Sequence, residues 1–113
     1  MAATEHDHGP PPETPLLEHE LAAAMASRFR LLADPGRLQI VYALLEGGEV
    51  CVGDLANHVG SSESATSHQL RQLRLAGLVR GRKHGREVFY RVADSHVRLL
   101  LDVAMEHQQH GAR

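Results

Sequence analysis

From Leu16 onward the apolar residues recur at steps of three and four. Leu17, Leu21, Ala24, Met25, Leu31 and Leu32, with Arg28 among them, form one stripe and predict a helix. Asp34-Pro35 ends that helix and opens another, with Asp34 as N-cap and Pro35 in the first position. Leu38, Val41, Tyr42 and Leu45 are its expected inward face, and Gly47-Gly48 stops it. A short helix follows over roughly 52–59, with Leu55, Ala56 and Val59 inward. Gly60-Ser61-Ser62 is a tight turn that caps a further helix running to about Ala76, where Gly77 closes it. The apolar residues of that helix are Ala65, Leu70, Leu73 and Leu75.

The period then changes from helical to alternating. Residues 78–82 and 87–92 read as two strands, joined by a hairpin tip at Lys83-His84-Gly85-Arg86. A last helix starts at Asp94 and runs to about Gln109. The expected order is α-α-α-α-β-β-α: mostly helical, with a β-hairpin wing. Residues 1–15 read as a flexible tail because Gly9-Pro10-Pro11-Pro12 cannot lie inside a helix. Residues 16–113 form the expected domain.

Composition narrows the class. With 113 residues, one cysteine, no tryptophan and four aromatics, the chain can build only one small core. Such a core favours a partner chain, so a homodimer is expected. No apolar run approaches the ~20 residues of a membrane helix, and the acidic, His-rich start is unlike a secretory signal. A cytoplasmic location is expected, and a lone Cys51 excludes an internal disulfide framework. Net charge is −2, but its distribution is uneven. Residues 61–91 carry seven basic and two acidic side chains, or +5, which leaves −7 for the rest.

Helix, tight turn and second helix make a helix-turn-helix. The second helix is polar on one side, with Ser64, Thr66, Ser67, His68, Gln69, Arg71 and Gln72 following the capping Ser62. Hydroxyls, amides and a guanidinium are the groups that read base edges and hold phosphates in a major groove. Arg82, Lys83 and Arg86 on the hairpin suit a wing laid on the DNA backbone. These residues together point to double-stranded DNA as the partner.

The last helix carries a second constellation. His96 and His107 are eleven residues apart, so they differ by only ~20° in azimuth but by ~16 Å along the axis. No single ion spans that, since metal–nitrogen distances are about 2.0–2.1 Å. Leu99, Leu100 and Val103 lie between them on the same face. Packing the helix antiparallel on a second copy brings Asp94 and His96 of one chain to His107 and His110 of the other, twice by symmetry. Three imidazoles and a carboxylate are a four-coordinate set suited to zinc or cobalt(II). No nucleophile–base set accompanies this site, so neither an enzyme nor a small-molecule substrate is expected.

With these residues in hand, the chain resembles the ArsR/SmtB family of metal-sensing winged-helix repressors over roughly residues 16–110. The likeness rests on residues 32–38 (LADPGRL), 50–55 (VCVGDL), 62–70 (SESATSHQL) and 85–90 (GREVFY), and above all on Asp94-x-His96 with His107-x-x-His110. The resemblance implies a winged-helix homodimer. Its apo form would repress a metal efflux or sequestration operon and release DNA on binding zinc, cobalt or nickel. It also implies a second metal site of Cys51 and Asp54 with tail ligands, here His6 and His8, and an alternative in which those histidines join a nickel or cobalt site. Family members that sense softer ions carry a second thiol where this chain has Gly53. A winged-helix regulator answering a non-metal signal is the other alternative. A hydrogen bond from His107 to the backbone near Leu75–Gly77 is the expected coupling route.

Overall fold

The computed structural model describes Gly9 and residues 16–111. Its elements are α1 (His19–Leu32), α2 (Pro35–Gly47), β1 (Val50–Cys51), α3 (Val52–Val59), α4 (Glu63–Leu75), β2 (Val79–His84), β3 (Glu87–Val92) and α5 (Ser95–Gly111). Local chemistry sets most of these boundaries. Asp34 Oδ2 accepts from the Arg37 N–H at 3.0 Å and caps α2 ahead of Pro35. Ser62 Oγ accepts from the Ala65 N–H at 3.0 Å and caps α4. Gly60 takes a left-handed φ of 75° between α3 and α4, a conformation that a side chain disfavours. Gly85, at φ 64°, does the same at the hairpin tip.

The strand order is β1-β3-β2, all antiparallel. Val79 pairs with Val92 and His84 with Glu87, while Val50 and Cys51 pair with Tyr90 and Phe89. The hairpin thus gains a third, two-residue strand, β1, that the sequence pattern does not predict. Its pairing ties the start of α3 to the wing.

The core lies where α2, α3 and α4 meet the sheet. Ile40, Val41, Leu44, Leu55, Leu70, Leu73, Leu78, Val79 and Tyr90 are among its buried members. Two expected inward residues of α2, Leu38 and Tyr42, are instead exposed, and Ile40 and Leu44 take their place. Leu75 and Ala65 are exposed as well. Along α1 only Leu32 is buried, so Leu21 and Met25, like Leu17 just before the helix, do not face this core.

α5 is fastened at its start. Val97 is buried, and Arg98 Nη2 donates to the Leu45 carbonyl at 2.7 Å. Beyond that point Leu99, Leu100, Val103 and Met105 are exposed. Between α2 and α5 lies an open apolar groove with Leu38, Tyr42, Leu45, Leu101 and Met105 among its lining residues. Among the described residues, no helix is long and apolar enough to cross a membrane.

Candidate nucleic-acid interface and metal centre

α4 stands on Thr66, Leu70 and Leu73, which are fully buried. The opposite side of the helix presents Ser64, His68 and Arg71, spaced four and three residues apart and all exposed. Ser67, Gln69 and Gln72 flank that face and are half-buried. Thr66 differs from its expected place. Its side chain is inside the protein, with Oγ1 lacking a hydrogen-bond partner among the described residues, so it supports the helix and is not free to meet DNA. Ser62 is exposed, but its Oγ is engaged as the helix cap.

Two of the expected DNA-facing groups have partners far away in sequence. Gln72 Oε1 accepts from Arg37 Nη2 at 2.8 Å. Arg82 is held by Glu49 through Nη2–Oε1 at 2.7 Å and Nε–Oε2 at 3.3 Å, and its guanidinium lies 5.5 Å from the Phe89 ring centroid. The Arg82 hydrogen bond holds the Glu49 carboxyl below its ordinary range, so Glu49 is ionised and offsets the arginine. Lys83 and Arg86 stand exposed at the tip. Arg80 and Arg91 face each other across β2 and β3, both exposed. Like charges placed opposite each other are unfavourable unless an anion lies over them. Spacing along the chain gives no sign of Arg37 or Glu49, because each acts on a residue more than 30 positions away.

The metal candidates are arranged along α5. Asp94 Oδ1 accepts from the backbone N–H groups of His96 at 3.0 Å and Val97 at 3.1 Å, capping the helix. The Val97 N–H is the main cause of an Asp94 carboxyl held below the usual range. An ionised carboxylate is the form a metal ligand requires. His96 Nδ1 is 3.7 Å from that same oxygen, and the His96 side chain is 92% exposed. His107 and His110 lie at the far end of the helix, also exposed. Among the described residues, no group of three or more His, Cys, Asp or Glu comes together within one chain. The donor types fit zinc, yet a single chain offers them only as two separated halves.

Cys51 and Asp54 are adjacent at the start of α3. The Cys51 side chain is buried in β1. The Asp54 backbone N–H favours its thiolate, but burial and the Asp54 carboxylate outweigh it and leave the thiol pKa raised. A thiol in that state is a poor ligand until it loses its proton. His6 and His8 lie outside the described residues.

A family model for bacterial regulatory proteins of the arsR family matches residues 34–80. This span runs from the α2 cap to the start of the wing. The chain is 46% identical over 99 residues to the HTH-type transcriptional regulator NmtR of Mycobacterium tuberculosis, covering 88% of this chain and 81% of that one. It is 41% identical over 85 residues to a homologue of the cadmium resistance transcriptional regulatory protein CadC from Staphylococcus aureus, covering 75% and 70%. In structure it is similar to a homodimeric winged helix-turn-helix DNA-binding domain from Mycobacterium bovis. The TM-score is 0.71 at 34% identity, over 80% of this chain and 87% of that one.

Proposed function

The chain belongs to the arsR family of bacterial regulatory proteins, and from that premise we propose that it is a metal-responsive transcriptional repressor. Its metal-free homodimer holds operator DNA in the cytoplasm and lets go when zinc, or cobalt or nickel, binds across the paired α5 helices. Asp94 and His96 of one protomer, with His107 and His110 of a second copy, are the proposed ligands. The bound ion would supply a cross-link between the two helices, through four nitrogen and oxygen donors.

One observation carries this reading. The exposed donors at the two ends of α5 are separated by the exposed apolar residues Leu99, Leu100 and Val103. Each half is incomplete within its own chain, and antiparallel contact with a second α5 completes both halves while covering the apolar middle. The protein's own residues do the rest. Ser64, His68 and Arg71 meet a major groove, and Lys83 and Arg86 meet the backbone. By linkage, the factor by which metal weakens DNA binding equals the factor by which DNA weakens metal binding.

The test is fluorescence anisotropy on a duplex that the apo protein selects from a randomised pool. Zinc should release the duplex from wild type and leave it bound by His96→Ala and His107→Ala, which should still bind DNA when metal-free. Selection of a duplex that zinc, cobalt and nickel all leave bound would favour a signal other than metal. Failure to select any duplex would remove the DNA-binding reading itself.

A further inference from the structure

The orientation of one side chain on α4 is fixed from outside the helix. Arg37, in the first turn of α2, points its Nη2 at Gln72 Oε1 across 2.8 Å. A guanidinium has only donors, so the atom facing it must be the amide oxygen and not the nitrogen. Gln72 is otherwise ambivalent, able to present either an acceptor or a donor to a ligand. With its oxygen engaged by Arg37, the group left without a partner in this contact is the NH2, a donor. The Arg37 backbone is fixed too, because its N–H is held by the Asp34 cap. Arg37 Nε is buried and has no partner among the described residues, so this placement is one that stability alone does not favour. α2 also closes on α4 one turn earlier, where a Cβ on Gly36 would lie 3.5 Å from Gln69 Nε2.

We propose that Arg37 is a positioning residue that makes Gln72 a hydrogen-bond donor to DNA. The inference rests on the DNA-binding role proposed above and adds a polarity to it. The complementary group on DNA is an acceptor, either a base-edge oxygen or nitrogen or a phosphate oxygen. A cytosine amino group would be refused at this point, because two donors would meet.

The experiment is a double-mutant cycle on the full-length apo protein, with anisotropy on the selected duplex and on a scrambled duplex of the same composition. Gln72→Ala should weaken binding by between about two- and tenfold, the range of one hydrogen bond. Arg37→Ala should cost a similar factor in wild type and almost nothing further in the Gln72→Ala background. A merely structural role for Arg37 would give the same loss in both backgrounds. Arg37→Lys, which keeps a donor, should restore binding. Gln72→Glu should weaken binding more than Gln72→Ala, since it keeps the Arg37 contact but turns an acceptor towards DNA.

A loss confined to the selected duplex would assign a base acceptor, and an equal loss on both duplexes would assign a phosphate. Wild-type affinity in Gln72→Ala, or additive losses in the cycle, would overturn the inference while leaving the DNA-binding role intact. Absence of binding by the wild type would instead overturn the earlier proposal.

Discussion

The half of the protein formed by α2, α3, α4 and the three strands differs sharply from the pair α1 and α5. The first half contains most of the buried residues, from Ile40 to Tyr90. The second contributes Leu32 and Val97 to that core and leaves Leu21, Met25, Phe29, Leu99, Leu100 and Val103 open. An apolar surface of that extent is costly in water and marks a contact site. The reading half therefore completes itself, whereas the two outer helices are complete only against another chain. The proposed metal donors lie on the incomplete half and the proposed DNA-facing side chains on the complete one. An ion that alters how two chains meet can then act on DNA without touching it.

The contrast is broken most severely by cavities. Leu55 and Leu70 are wholly buried, so Leu55→Ala should cost about 2–5 kcal/mol in urea unfolding, enough to threaten the fold. Leu99, 62% exposed in the chain, should behave in the opposite way. Leu99→Glu should shift the unfolding free energy of an isolated protomer by less than about 0.5 kcal/mol. It should nonetheless weaken association by about 2 kcal/mol or more, read by sedimentation equilibrium, because a carboxylate replaces an apolar contact at a two-fold axis. Loss of association without loss of the fold would sharpen the division between the halves. Unfolding of the protomer itself would erase it.

Smaller effects probe the joints. Ser62→Ala should cost about 1 kcal/mol in stability by removing the α4 cap, and should lower DNA affinity alongside it. The Glu49–Arg82 pair ties the segment before β1 to the wing, and it should leave a mild signature in pH. Glu49 is held below its ordinary range by Arg82, so its contribution is present above the unfolded carboxylate pKa and fades as pH falls through the folded one. Glu49→Gln should therefore flatten the acid side of the thermal stability profile, and added salt should do the same to the wild type.

Local signals in the sequence were enough for most of the fold. Asp34-Pro35, Gly60 with Ser62, and Gly85 each act within a few residues of themselves, and the structure places each where its chemistry predicts. What escaped depends on distant partners. β1 is only Val50 and Cys51, made a strand by pairing with Tyr90 and Phe89. The helical period puts Leu38 and Tyr42 on the inward face because it cannot distinguish a core from a groove beneath α5. Thr66 falls within the polar run of α4, yet its hydroxyl is a small part of a side chain that packs inside. The candidate metal ligands are legible as a spacing along residues 94–110, and the arrangement proposed to unite them needs a second chain. The spacing suggests a second copy, but one protomer does not display the joined site.

The central claim is that each metal site draws half its ligands from each chain, and subunit mixing tests it most directly. His96→Ala and His107→Ala should each abolish the intense visible bands of tetrahedral cobalt(II). In a heterodimer of the two variants, one site loses both mutated ligands while the other keeps all four. Mixing and exchanging the variants should therefore restore about a quarter of the wild-type signal, since half the dimers are mixed and each has one intact site. Restoration would place the ligands on opposite chains. No recovery after verified subunit exchange would contradict the account and return the site to a single chain.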